Sequence, residues 1–368
     1  MKQSSHSCAR QSKFTRINWL GVNSAANVRQ VSHLERDADR VIAVVLNWNG
    51  PDLTVRCVDH LRAQRFPLSI VIIDNGSSDD SAQRLAHLVD ARCELIVLPE
   101  NLGYSGGCNV GIRIAVDRKA TYVWIINNDA FAETNCLSLL VDHLDAYANV
   151  ALVTPKLLNE DGSEQHAGGF VDFQSGDTNQ VLSAELTQFS PDNRWLTGTA
   201  ILIRVAALQG NAAFDDAFFA YWEDVDLSLR LTQAGYELRA VPDAIAMHLT
   251  SASTGGMHSP IFLYLNCRNQ WILQRKYLSQ RAVPGCLLRY SARYLEMYAA
   301  YSDAGDVAPR NAVWRAISDA WRGTTGAPPP CTNDPHGIIS RHPWGTARVL
   351  RRLARYVDAL LRSPARKS

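Results

Sequence analysis

The sequence has almost no net charge. Thirty-seven Lys and Arg stand against 36 Asp and Glu in 368 residues, a formal net of +1. No global field draws nucleic acid or another polyanion, so no nucleic-acid partner is expected. No apolar run approaches the ~18 residues that cross a bilayer, which excludes a polytopic membrane protein. There is no CxxC pair. The eight cysteines, at 8, 57, 93, 108, 136, 267, 286 and 331, come no closer than fifteen residues apart. Zinc ribbons and redox dithiols are therefore not expected, and scattered thiols of this kind fit a reducing compartment and a core-filling role. No acid precedes Glu35, and the one apolar patch before it, Ile17 to Val22, is too short and interrupted for a signal-peptide core. Residues 1–38 read as an irregular leader.

The hydrophobic fraction is 46%, enough for a large core. From Arg40 onward, short apolar runs at Val41–Leu46, Ile70–Ile73, Leu95–Leu98 and Tyr122–Ile126 alternate with periodic stretches near 53–64, 80–90, 104–118 and 135–147. Strands that are apolar throughout are buried on both faces, and their alternation with helices predicts an α/β fold built on a mostly parallel sheet. Further strands are expected at Thr199–Ile203 and Glu237–Val241. Helices are expected at Glu223–Ala234, Ser259–Tyr277 and Cys286–Tyr301. Asp161–Gly169 and Gln174–Asn193 read as loops. In parallel sheets, ligands sit at the carboxyl ends of the strands.

Those ends are polar. The first is Asn47-Trp48-Asn49-Gly50 and the second Asp74-Asn75-Gly76-Ser77-Ser78-Asp79. Asp74 accepts hydrogen bonds and suits the imino N–H of a pyrimidine; the plainer alternative is a turn with a helix cap. The third strand leads into Glu100-Asn101-Leu102-Gly103-Tyr104-Ser105-Gly106-Gly107-Cys108-Asn109, a glycine loop spelled GxxGG and not the dinucleotide GxGxxG. The fourth ends in Asn127-Asn128-Asp129, which suits a divalent cation on a diphosphate, or again a cap. From Phe214 to Asp226, five carboxylates and five aromatics crowd thirteen residues. Aromatic faces suit sugar rings, and a nearby carboxylate suits proton abstraction from a hydroxyl. The competing reading makes these rings core and the acids dipole-stabilised first-turn residues. His248 follows an apolar run and would bind metal only if folded back beside Asp129.

Taken together and in order, these motifs resemble the inverting nucleotide-sugar glycosyltransferases of glycosyltransferase family 2, which have a GT-A fold. The likeness covers roughly 41–280, includes Gly198 before a strand ending in Arg204, and is nearest the bacterial rhamnosyltransferase-like branch, where Arg268-Asn269 also fits. The resemblance implies that Asn47, Asp74, Asn101, Gly103, Asn109 and Asn128 shape the nucleotide site. It implies that Asp129 and His248 hold Mg²⁺ or Mn²⁺, and that Asp224 of the Glu223-Asp224 pair is the catalytic base. Asn127 stands where the family has the first acid of its DxD element, which removes one anionic ligand. The implied reaction moves a sugar from a UDP- or dTDP-sugar, dTDP-rhamnose among them, to a glycan or lipid-linked acceptor, as in cell-wall or polysaccharide synthesis. The alternative is a non-catalytic nucleotide- or glycan-binding relative of the same fold.

The expected layout is a catalytic domain at 39–255, packing helices at 256–302, a Pro/Gly-rich connector at 303–345, and a basic amphipathic helix at 346–363. From Arg341 to Ser368, eight Lys and Arg face one acid. Such a helix can lie on an anionic membrane, or pack on the domain or on a second subunit. The expectation is a cytoplasmic protein, peripheral at the inner face of the membrane.

Overall fold

A computed structural model describes residues 40–208, 213–249 and 258–329. The leader and the basic helix at 346–363 lie outside the described residues.

Four parallel strands begin the fold: β1 (Val41–Asn47), β2 (Ser69–Asp74), β3 (Cys93–Val97) and β4 (Tyr122–Asn127). Side chains alternate across a strand. Val41, Ala43 and Val45 enter one core, and Ile42 and Val44 enter the other, all fully buried. The first core is covered by α1 (Pro51–Arg62), α2 (Ser81–Leu85) and α4 (Cys136–Ala146). The second is covered by α3 (Gly103–Asp117). Helix α1 starts two residues earlier than its apolar pattern, because Pro51 occupies the first turn, where its missing N–H costs nothing.

Several strands were not legible in the pattern. They are β5 (Ala130–Ala132), β6 (Val150–Leu158) and a separate antiparallel sheet of β7 (Gly168–Val171), β8 (Thr178–Val181) and β9 (Arg194–Leu196). The last three lie within or beside stretches expected as loop. The main sheet is completed by β10 (Ala200–Arg204) and β11 (Glu237–His248), giving the order β3-β2-β1-β4-β10-β6-β11-β5. Strand β10 runs antiparallel to β4 and β6, and β5 antiparallel to β11. The rest of the sheet is parallel.

Helix α5 (Glu223–Gln233) packs with Leu227 and Leu231 on the second core. After it come α6 (Pro260–Tyr277), α7 (Val283–Ala304) and α8 (Val307–Arg322). Helix α8 occupies part of the expected connector. Gly305 ends α7 in left-handed backbone, and Val313, Ala316, Ile317 and Ala320 of α8 pack into a third core with α6 and α7. The prolines at 328–330 lie beyond this helix and drew the connector boundary too early. The six cysteines among the described residues are all buried thiols. No described helix is long and apolar enough to cross a membrane.

Candidate active site

The parallel strands are apolar until their last residues, where buried polar groups must find partners. Asn47 and Asp74, both fully buried, end β1 and β2 side by side. Asn47 Nδ2 donates to Asp74 Oδ1 at 2.9 Å and to Ser77 Oγ at 3.2 Å. Thr54 Oγ1 donates to Asn47 Oδ1 at 2.7 Å and receives the Asn128 Nδ2 proton at 3.1 Å. Ser77 Oγ also accepts from Asn49 N, and Ser78 N donates to Asn49 Oδ1. One hydrogen-bonded chain thus joins the ends of β4, β1 and β2 through α1.

Asn75 carries the chain across to the glycine loop. Its Nδ2 donates to Asn101 Oδ1 (2.9 Å) and Gly103 O (3.0 Å), and its Oδ1 accepts from Leu102 N. Asn101 also accepts from Gly103 N at 2.7 Å. Gly103 has φ +76°, and a Cβ there would collide with the Phe219 carbonyl. Asn109 is spent in another direction. Its amide donates to Phe214 O (2.8 Å) and Asp216 Oδ1 (2.9 Å), and its oxygen accepts from Phe214 N. It ties α3 to the segment entering α5, so any influence on a nucleotide runs through that segment.

Tyr104 donates within reach of Asn127 Oδ1 (2.9 Å) and Gly198 O (3.1 Å). The Asn127 side chain is therefore engaged by a neutral hydroxyl. Asp129 sits at the turn into β5, and β5 pairs with the end of β11 with Ala130 opposite His248. This brings His248 Nε2 to 3.4 Å from Asp129 Oδ1. That oxygen is buried and has no hydrogen-bond partner at this longer distance. Gln165 Oε1 holds the other ring nitrogen, Nδ1, at 2.9 Å. Among the described residues no three His, Cys, Asp or Glu gather as a metal cage. The pair fits a cation that takes only two protein ligands and fills its shell with diphosphate oxygens and water.

The five carboxylates between 214 and 226 divide by partner. Asp215 pairs with Lys276 (2.8 Å), Asp216 accepts from Asn109, and Asp226 is fully buried between Arg230 (2.8 Å), Lys276 (2.6 Å) and the Tyr277 hydroxyl. Among the described residues, Glu223 and Asp224 have no cation partner. Asp224 is partly buried; its Oδ2 accepts from Gly198 N and its Oδ1 from Val225 N, both at 2.8 Å. Burial raises its carboxyl above the usual range while these N–H groups pull it down. Glu223 is buried with Oε2 unpartnered, and burial, then the charge of Asp224, pushes it well up.

The approach to this pair is strained. Phe219, Tyr221 and Trp222 have φ of 65°, 68° and 75°. Left-handed backbone costs a side-chain-bearing residue about 1–2 kcal/mol, so three in four residues need a strong external hold. Thr54, Tyr104 and Gln165 were missed in the sequence. Each looks like an ordinary residue until the fold brings it beside its partner.

The mixed α/β architecture with its large central sheet is that of the GT-A glycosyltransferases. The family model described as Glycosyl transferase family 2 matches residues 42–217. That match, just under half of the chain, and the relatives that follow support a family 2, rhamnosyltransferase-like protein. It is 28% identical over 238 residues to an N-acetylglucosaminyl-diphospho-decaprenol L-rhamnosyltransferase of Mycobacterium tuberculosis, covering 58% of this chain and 77% of that one. It is 26% identical over 218 residues to the galactofuranosyltransferase GlfT1 of the same organism, covering 57% and 70%. Among solved structures it is similar in fold to GalNAc-T7, crystallised with UDP, GalNAc and Mn²⁺. The TM-score is 0.53 at 15% identity, over 72% of this chain and 52% of that one. The chain thus spans about half of that structure.

Proposed function

We propose that this protein transfers a sugar from a nucleoside-diphosphate donor to a hydroxyl of a glycan or lipid-linked acceptor, with inversion at the anomeric carbon. The observation that carries the reading is the Glu223–Asp224 pair. Among the described residues it is the acidic pair of its segment left without a cation, and Gly198 and its own helix terminus hold Asp224. The acceptor oxygen attacks the anomeric carbon, its proton passes to an Asp224 oxygen, and the bond to the diphosphate breaks with its electrons leaving on the diphosphate. A raised carboxyl makes a stronger base near neutrality. Burial and the charge of Asp224 push Glu223 up as well, which favours its neutral form and lessens the charge beside Asp224.

The chain from Asn128 to Asn49 presents the pyrimidine and ribose side, with Asp74 at its centre. Asp129 and His248 would hold a divalent cation, and a mixed oxygen–nitrogen pair favours Mn²⁺ over Mg²⁺. When bound, that cation neutralises charge building on the departing diphosphate. The rhamnosyl and galactofuranosyl relatives support a UDP- or dTDP-sugar, with dTDP-rhamnose the first donor to try. The non-catalytic alternative rested on Asn127, and its engagement by Tyr104 leaves Asp129 and Asp224 intact. Contact with a membrane surface rests on 346–363, outside the described residues, and stays part of the proposal.

Asp224→Asn should cut nucleoside-diphosphate release from a panel of UDP- and dTDP-sugars about 10²–10⁴-fold, the usual contribution of a general base. Binding of UDP and dTDP should be unchanged by calorimetry. Turnover within about tenfold of wild type would remove Asp224 from the role.

A further inference from the structure

We propose that Asn269, in the middle of α6, is a positioning residue for Asp224. Its side-chain amide, oriented by Arg268, gathers three carbonyls of the 218–221 segment and holds the left-handed turn that delivers the Glu223–Asp224 pair to Gly198. This rests on the reading of Asp224 as the base.

Within the turn Ala220 N donates to Phe218 O at 2.8 Å, but the backbone angles around it stay costly. Glycine would adopt these backbone angles freely, but Phe219, Tyr221 and Trp222 stand there. Their carbonyl neighbours point toward α6. Asn269 Nδ2 lies 2.7 Å from Phe218 O, 2.8 Å from Ala220 O and 2.9 Å from Tyr221 O. An amide carries two protons, so one is shared, and all three oxygens are drawn to a single point. That convergence forces the chain to reverse between them.

Arg268 fixes which end of the amide faces the turn. Its Nε and Nη2 donate to Asn269 Oδ1 at 3.0 and 2.8 Å, and Nη2 also reaches Phe218 O at 3.2 Å. A charged donor on the oxygen polarises the amide and strengthens its N–H groups. Both side chains are fully buried, so water does not compete. From the other side, Ser105 N donates to Phe219 O at 3.0 Å, and from α6 itself Asn266 Oδ1 accepts from Trp222 Nε1 at 3.1 Å. The three bonds that Asn269 Nδ2 donates all run across to another segment, unlike those of a residue that merely stabilises its own helix. The family match ends at 217, five residues before the turn is complete.

The test uses full-length Asn269→Ala and Asn269→Asp beside Asp224→Asn. The Asp variant keeps the size and the pairing with Arg268 but replaces the donor with an acceptor, so it guards against misfolding of the Ala variant. Hydrogen exchange followed by mass spectrometry should show faster exchange over 218–226, by about tenfold or more, with β1–β4 unchanged. For the nucleotide sugar that wild type turns over, kcat should fall about 10²-fold, as for a reacting group displaced by about 1 Å. KM for that donor and the affinity for UDP with Mn²⁺ should stay within about twofold. Unchanged exchange over 218–226 in both variants would overturn the proposal. So would wild-type kcat in Asn269→Asp, which would reduce the residue to space filling. Turnover retained in Asp224→Asn would overturn the base reading instead, and the exchange result would still report on the turn.

Discussion

Glu223→Gln should make the protein more stable, and increasingly so as pH rises. In an unfolded chain a Glu carboxyl titrates near pH ~4.3. In the fold, burial and the charge of Asp224 hold the Glu223 carboxyl well above that. Between the two values the folded state holds a proton that the unfolded state has released, so stability falls as pH rises through the window. Glutamine has no charge to desolvate and removes this loss. The side chain is 6% exposed and Oε2 has no partner. Each pH unit crossed within that window costs the wild type about 1.4 kcal/mol relative to the glutamine variant. At roughly 2–4 °C per kcal/mol for a domain of this size, the gain is several degrees in Tm. Calorimetric unfolding of both proteins from about pH 5 to pH 8 should show a small gap at the acid end that widens toward the alkaline end. A constant gap, or a wild type more stable at the alkaline end, would refute the reasoning. Asp226→Asn is the contrast. It strips Arg230 and Lys276 of their shared carboxylate. It should destabilise by about 2–3 kcal/mol, below the 3–5 of a fully buried pair, because those side chains are 31% and 33% exposed.

Other expectations concern different parts of the site. Asp129→Ala and His248→Ala should each weaken UDP binding in the presence of Mn²⁺ and leave metal-free binding alone. Calorimetry giving equal affinities with Mn²⁺ would remove the pair as its holders. Gly103→Ala should lower the urea midpoint through about 1–2 kcal/mol of left-handed strain plus the collision with Phe219; an unchanged midpoint would show that the loop adapts. Turnover should rise with pH along an acid limb lying above the ordinary aspartate range, because burial raises Asp224 and the base works only when ionised. A limb within the ordinary range would mean that solvent reaches Asp224 more freely than its partial burial suggests.

The parallel half of the fold was legible because its strands are apolar on both faces and nothing else in the chain looks like them. β1, β2, β3 and β4 appear within a few residues of their apolar runs. β6 was hidden by Pro155 and Lys156, which break its pattern although its neighbours are buried. β7 and β8 pair with each other and with β9, and carry glycine, asparagine and glutamine that look like loop. At the site, motifs showed which segments converge but not which atoms remain free. Asn109 and Asp129 are both polar residues beside a helix or strand end. Only the fold shows that Asn109 is committed to Phe214 and Asp216 while Asp129 keeps an unpartnered oxygen. The five acids before and within α5 were equivalent as letters. Lys276 and Arg230, up to 61 residues away in sequence, separate them.

The turn at 218–222 also bears on recombining this protein with its relatives. A crossover placed at the end of the family match would look neutral, since it falls between recognisable segments. It would cut through a structure held by both parents. Asn109 and Ser105 grip residues 214, 216 and 219 from the amino-terminal parent, while Asn269 grips 218, 220 and 221 from the carboxyl-terminal one. A chimera joined there keeps each side-chain set within one parent, and of these bonds only the backbone one from Ser105 N to Phe219 O crosses the seam, so the entry to α5 comes to depend on how Gly103 of one parent fits Phe219 of the other. A junction in the exposed turn around Gly235, after α5 and before β11, keeps 214–233 with its amino-terminal partners and leaves Asn266, Arg268, Asn269, Lys276 and Tyr277 of α6 to be carried over by design.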